Sequence, residues 1–191
     1  MSSAERPYRI RSIAVIRLLA SPFRQALLDE VTATGAATVA HLSRRLHRPA
    51  DRLYYHVRLL ERAGLLVAVT AGARHGREGA RYDVPGRPLL LQYDPASGAN
   101  RRAVGRVVDA MVRSARHDFR RAMRSRRIRV DGPRRELWAG RVEGVLSVRD
   151  LEALNAHLAA VLELMQHSRR SRRRGGHPFQ FTWVLSPRLR C

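Results

Sequence analysis

Between residues 9 and 63 the apolar positions recur every three or four residues, the period of helices with one buried face. Ile13, Ile16 and Leu19 predict a short first helix over 9–19. In SPFRQALLDEVTATG, Ser21 is suited to cap a second helix and Pro22 to open it, because proline's missing N–H costs nothing in the first turn. Phe23, Leu27, Leu28 and Val31 form its buried face, and Gly35 closes it. Thr38 caps a short third helix with Val39, Leu42 and Leu46 inward. His47, Arg48 and Pro49 make a tight turn into a fourth helix over about 50–63, and Gly64 stops it at the first position past its end. The period then changes: LLVAVT and ARYDV alternate as two strands around the loop AGARHGREG.

Further along, PGRPLLLQYDPASGAN is punctuated by prolines and glycines, which predicts a linker over 87–100. Residues 101–127 predict a long amphipathic helix. At ~100° per residue, Val104, Val108, Met111, Ala115, Phe119 and Ala122 share one side. Arg102, Arg106, Arg113, Arg116, Arg120, Arg124 and Arg127 fall in a narrow stripe opposite, interrupted by Asp109. RELWAGRVEGVL suggests an extended segment. Ser147 and Asp150 resemble a capping box with Asp in place of Glu, opening a helix whose Leu151, Leu154, Leu158, Val161, Leu162 and Met165 face one way. A basic loop over 169–176 and the alternating PFQFTWVL complete a small α/β region over 134–187.

The charge balance is extreme: 37 basic against 16 acidic residues, a net +21 and a pI near 11.8. Such a field favours a polyanionic partner, nucleic acid before membrane. Every basic residue is arginine, as a GC-rich codon bias would produce. The consequence is physical all the same, since the planar guanidinium fork suits phosphates and guanine edges. A hydrophobic fraction of 45% is enough for a folded core. No run approaches the ~18 apolar residues of a membrane span, and MSSAERPYRIRSIAVIRLLA sets arginines inside its apolar patch, unlike a secretion signal. Cys191 is the single cysteine, which leaves no intramolecular disulfide or multi-cysteine metal site. The expected location is the cytoplasm, in association with the nucleoid.

Two helices joined by a tight turn and followed by a hairpin form the geometry that lays a helix into the major groove of DNA. The groove, ~12 Å wide, takes one α-helix, whose outer face must be polar and whose inner face must anchor it. The helix in RPADRLYYHVRLLERAGLL meets both demands. Leu53, Val57 and Leu60 dock it, with His56 beside them, and Asp51, Arg52, Tyr54, Tyr55 and Arg58 are left for base edges. Arg62 lies further along, at phosphate reach at most. Thr38, Arg44, Arg45 and Arg48, with Arg74, Arg77 and Arg81 of the hairpin, are candidate backbone contacts. The predicted fold is therefore mainly α with a small β component: a winged helix-turn-helix over 9–86, a linker, a long amphipathic helix and a small α/β segment.

SPFRQALLDEV, TVAHLSRRL, DRLYYHVRLLERAGLL and ARYDV, in this order, resemble the arsenic-repressor-type (ArsR-like) winged-helix family of bacterial transcription regulators. The resemblance implies a homodimer that reads a two-fold operator in double-stranded DNA, with helices outside the winged helix building the dimer. Val104, Val108, Met111, Ala115 and Phe119 are then the expected interface. Metal-sensing relatives carry cysteines where this chain has Thr38, Ala40 and Ser43, and the adjacent His117 and Asp118 diverge by ~100° on a helix. The layout is closer to the non-metal branch, with no metal and no cofactor.

The expected function is a sequence-specific regulator, a repressor that occludes a promoter with two reading helices ~34 Å apart. No His-x-x-x-His, His-Glu-x-x-His, glycine-rich phosphate loop or nucleophile arrangement points to an enzyme. Two other classes stay open: a nonspecific nucleoid- or RNA-binding protein, and a winged helix used for protein contacts. Residues 1–95 hold 15 arginines and 8 acids, a net +7, and residues 96–191 hold 22 and 8, a net +14. The arginine stripe is thus either a solvated face or a surface for sequence-independent phosphate contact. Leu137, Trp138, Val142, Phe179, Phe181 and Trp183 could line a pocket for a small-molecule effector of unknown identity, or form an ordinary core.

Overall fold

The computed structural model describes residues 6–69, 79–170 and 178–188, with the backbone alone over 167–170. Its elements are β1 (Tyr8–Ile10), α1 (Ile13–Leu18), α2 (Pro22–Thr34), β2 (Ala37–Thr38), α3 (Val39–Leu46), α4 (Ala50–Arg62), β3 (Val67–Val69), β4 (Arg81–Asp83), β5 (Leu89–Leu91), α5 (Gly98–Met123) and α6 (Val148–Arg170). The chain is mainly α with a small β component, and it divides into two compact units, Met1–Arg113 and Ser114–Cys191.

The first unit closes around one core. Leu27, Leu28 and Val31 of α2, Val39 and Leu42 of α3, Leu53, Val57 and Leu60 of α4, and Ile16 of α1 are buried in a single apolar cluster. These are the positions that helical spacing turns to one side. Local chemistry sets the ends. Pro22 opens α2 after an extended Ser21, but the Ser21 side chain makes no capping bond, so its contribution is backbone geometry alone. Thr38 does cap α3, its hydroxyl accepting from the His41 N–H at 3.2 Å. The turn into α4 passes through His47 in the left-handed region, φ 51°. It is closed from both sides: the Ser43 hydroxyl donates to the Arg48 carbonyl at 2.6 Å, and the Arg48 N–H to the Ser43 carbonyl at 3.1 Å.

At the far end of α4 the Gly64 N–H bonds the Glu61 carbonyl and the Leu65 N–H the Leu60 carbonyl, both at 2.9 Å. This is a Schellman turn, which requires the positive φ of 70° that Gly64 adopts. Leu60 and Leu65, which such a turn brings together, are both fully buried. The chain then enters β3, which pairs antiparallel with β4 (Val67 opposite Asp83, Val69 opposite Arg81), and β4 pairs antiparallel with β2 (Ala37 opposite Tyr82). This three-stranded sheet, in the order β2-β4-β3, follows the helices as the wing of a winged helix-turn-helix.

Two stretches differ from expectation. Residues 8–10, assigned to the first helix or left outside it, form β1, and the helix starts at Ile13. Leu89–Leu91, within the expected linker, form β5, which pairs parallel with β1 (Tyr8 opposite Leu89, Ile10 opposite Leu91). The supposed linker is held by side chains as well. Arg87 donates to the Val31 and Thr32 carbonyls at the end of α2 and pairs with Asp83. Asn100, buried in the first turn of α5, donates to the Gln92 carbonyl and accepts from the Asp94 N–H, both at 3.0 Å. Gly86 lies so near β1 that a Cβ there would stand 2.2 Å from the Arg6 carbonyl oxygen.

The long helix spans Gly98–Met123, not 101–127, so Arg124 and Arg127 lie beyond its end. Its core contacts also differ. Ala103, Val107 and Ala110 are buried, and the expected dimer residues Val104 and Met111 partly pack against the same core. In the second unit α6 forms as expected, with its capping box complete: Asp150 Oδ2 accepts from the Ser147 N–H at 3.0 Å and the Ser147 hydroxyl accepts from the Asp150 N–H at 3.2 Å. The strand expected at PFQFTWVL is not found, and RELWAGRVEGVL, read as an extended segment, forms neither helix nor strand. The described residues of both stretches pair with no other strand. Alternation can build a strand only where a partner edge is supplied. The loop over 169–176 is also shortened, since α6 continues to Arg170, and its remaining residues lie outside the described ones.

The Schellman turn makes a direct prediction. Gly64→Ala should lower stability by ~1–2 kcal/mol, because an L-residue there takes on the left-handed penalty. Urea unfolding checks it, and a midpoint equal to the parent's would show that the turn tolerates a side chain.

Candidate nucleic-acid interface

The site is the outward side of α4. With Leu53, Val57 and Leu60 fully buried, the 100° step of the helix sends Asp51, Tyr55, Arg58 and Arg62 to the opposite side, within a stripe about 60° wide. Tyr55 is 66% exposed, which is unusual for a tyrosine on a short helix and leaves its ring free for contact. Asp51 sits in the first turn, where the helix dipole favours a negative charge.

This line borders a recess of about 880 Å³, lined by Asp51, Tyr54, Tyr55, Arg58, Leu59, Glu61, Arg62 and Tyr82. Tyr54 is half-buried, shared between the recess and the core edge. Arg52 is exposed but lies on the flank of α4, outside the recess. Arg62 is more central than its place at the helix end suggested. Tyr82 and Glu61 were missed by sequence reasoning. The alternation of ARYDV could have found Tyr82, since in β4 it must point opposite to Arg81 and Asp83. The recess brings two carboxylates beside two guanidiniums, so it is not a plain phosphate cradle. Base edges, which offer both donors and acceptors, suit such a mixed lining better.

The candidate backbone contacts separate into two groups. Arg44 and Arg48 are exposed around the turn and form no ion pair among the described residues. Arg45 is tied to Glu30 of α2 at 2.7 Å. Arg81 donates twice to the Ala36 carbonyl, at 2.6 and 3.2 Å, and so holds β4 to the approach of β2. The hydroxyl of Thr38 serves as the cap of α3. Arg74 and Arg77 lie outside the described residues.

Behind the outward face sits His56. Its ring meets Phe23 edge-on at 4.9 Å and Tyr55 at 5.2 Å, and its buried Nδ1 has no hydrogen-bond partner among the described residues. Burial pushes the imidazole pKa down, and the nearby Arg24 guanidinium pushes it the same way. His56 therefore links the face of α4 to α2 as a neutral aromatic ring.

A family model for a helix-turn-helix domain matches residues 19–69, from the residue after α1 to the last residue of β3. The match and the fold agree, and together they define the class: this part of the chain is a helix-turn-helix domain of the winged type, and the protein is a DNA-binding regulator. No curated protein matches the chain. Among the described residues no helix is long and apolar enough to cross a membrane, and no three histidine, cysteine or acidic side chains converge as for a metal ion.

The lowered pKa of His56 has a defined sign. The unfolded chain takes up the proton more readily than the folded one, so the stabilisation is present above the ordinary histidine pKa of ~6.5 and is lost as pH falls through the lower folded value. His56→Asn should therefore lose less stability than the parent between neutral and mildly acidic pH. Parallel urea midpoints for the two proteins across that range would rule out this role for His56.

Proposed function

We propose that the chain is a sequence-specific regulator of transcription that binds double-stranded DNA as a homodimer and represses by occluding its promoter. The observation that carries it is the division of α4: a fully buried leucine–valine stripe on one side, and Asp51, Tyr55, Arg58 and Arg62 on the other. Arg58 and Tyr55 are the principal base contacts, flanked by Asp51, Tyr54 and Arg52. Arg44 and Arg48 meet the sugar–phosphate backbone, together with Thr38, Arg74 and Arg77. Arg45 and Arg81 contribute less than their charge suggests, because each already has a partner in the domain. The protein works at the nucleoid in the cytoplasm, as a binder and not an enzyme, and uses no cofactor or metal. With Thr38, Ala40 and Ser43 in place of cysteines, it fits the non-metal branch of the ArsR-like regulators.

The dimer is supported by α5. Val104, Val108, Met111, Ala115 and Phe119 are half-buried in the single chain, and Val112 beside them is 48% exposed. Ala103, Val107 and Ala110 already anchor the helix, and Val104 and Met111 pack only partly against the same core, so the remainder of this second apolar face is left to meet its counterpart in another copy. The apolar residues expected to line an effector pocket stand largely open: Trp138 is 74% exposed, Val142 95% and Phe179 52%. Phe181 and Trp183 stack on each other at 5.2 Å, and Arg135 covers Trp138 at 4.5 Å. Nothing in their arrangement favours a particular effector.

Selection from a randomised duplex library at physiological salt tests the function. An inverted repeat with half-sites one helical turn apart is expected; even recovery of all sequences would replace specific regulation with nonspecific coating. Arg58→Ala should weaken the selected site by ~1–3 kcal/mol and leave random duplex nearly untouched. An equal loss on both would make Arg58 a phosphate contact. Val108→Glu with Phe119→Glu should give a monomer in sedimentation that no longer prefers the inverted repeat over a half-site. A dimer that survives both changes would place the interface elsewhere.

A further inference from the structure

We propose that α5 carries a second nucleic-acid contact, a line of arginines that grips the phosphate backbone of duplex DNA without reading its bases. Arg102, Arg106, Arg113, Arg116 and Arg120 are all exposed, and the helical step places them within a stripe about 80° wide and about 27 Å long. Asp109 is the single acid on that stripe. Among the described residues, none of the five arginines forms an ion pair.

The stripe is separate from the work the rest of the helix does. Ala103, Val107 and Ala110 hold α5 to the core, and the half-buried line from Val104 to Phe119 forms a second face. The arginines occupy the third, so a ligand there displaces neither contact. A stripe whose only task is solvation would be more stable with alternating signs. Arg102 with Arg106, and Arg116 with Arg120, are instead like charges four residues apart, which weakens a helix. An extended polyanion removes that repulsion. A stretch of duplex as long as the stripe presents about 8 phosphates on each strand, enough to meet all five cations. Duplex DNA as the polyanion follows from the helix-turn-helix reading; the charge line itself does not depend on it.

Counterion release supplies the test, with the full chain and a short duplex of scrambled sequence. Arg106→Gln, Arg113→Gln and Arg120→Gln combined should reduce the slope of log affinity against log salt by ~2.7, at ~0.9 per phosphate contact. The same three positions changed to lysine should keep the parental slope, because a nonspecific phosphate contact needs charge more than fork geometry. An unchanged slope in the glutamine variant overturns the proposal. So does a lysine variant that loses as much as the glutamine one, and so does a slope change seen on double-stranded RNA but not on DNA. Failure of the specific-regulator reading looks different: the parent would show no sequence preference, while the glutamine variant would still lower the slope, and the stripe would stand.

Discussion

Burial of Leu53, Val57 and Leu60 against α2 and α3 is the contact on which the candidate interface depends. A helix cannot orient its two sides independently. Once these three side chains are fully enclosed, the direction of Tyr55 and Arg58 is settled by the helical repeat alone. A rotation by one residue, about 100°, would carry the outward line off the recess and bring polar groups toward an apolar core. Full burial of side chains of this size is worth ~1.5–3 kcal/mol each, so such a rotation is strongly opposed. The same core then continues through the Schellman turn into Leu65 and Leu66, so α4 and the wing are placed by one packing event.

The two sides of this arrangement meet at His56. It belongs to the outward helix, but its ring lies against Phe23 of α2, and burial keeps it neutral more readily than a free histidine. Arg81, Arg45 and Arg87 show a related economy. Each carries a charge that composition alone assigns to a nucleic-acid surface, and each is instead bonded to a carbonyl or a carboxylate within the domain. High positive charge is therefore not uniformly available. Among the described residues, the arginines without an ion pair include Arg44 and Arg48 around the turn before α4, Arg58 and Arg62 on its outer face, and the five along α5.

Much of the first unit was legible in the sequence because its signals are local. Thr38 capping α3 and Gly64 ending α4 each involve residues within five positions of one another, as does the Ser147–Asp150 box in the second unit, and the three buried residues of α4 follow from spacing. The pairing of β1 with β5 was not legible, since it joins residues about eighty positions apart and neither strand has a pattern long enough to announce itself. The alternating segment at 178–185 shows the opposite error. Its period is right for a strand, but no neighbouring edge among the described residues completes it.

The amino-acid order by itself determined the succession of helices, the ends of α2, α3 and α4, and which face of α4 is apolar. All of these rest on interactions within a few residues along the chain. Tertiary structure decided which arginines remain free, which side of α5 enters the core, and that Tyr82 and Glu61 join the recess with Arg58. Those outcomes depend on which carbonyl, carboxylate or apolar surface arrives from a distant segment, and no local pattern specifies that.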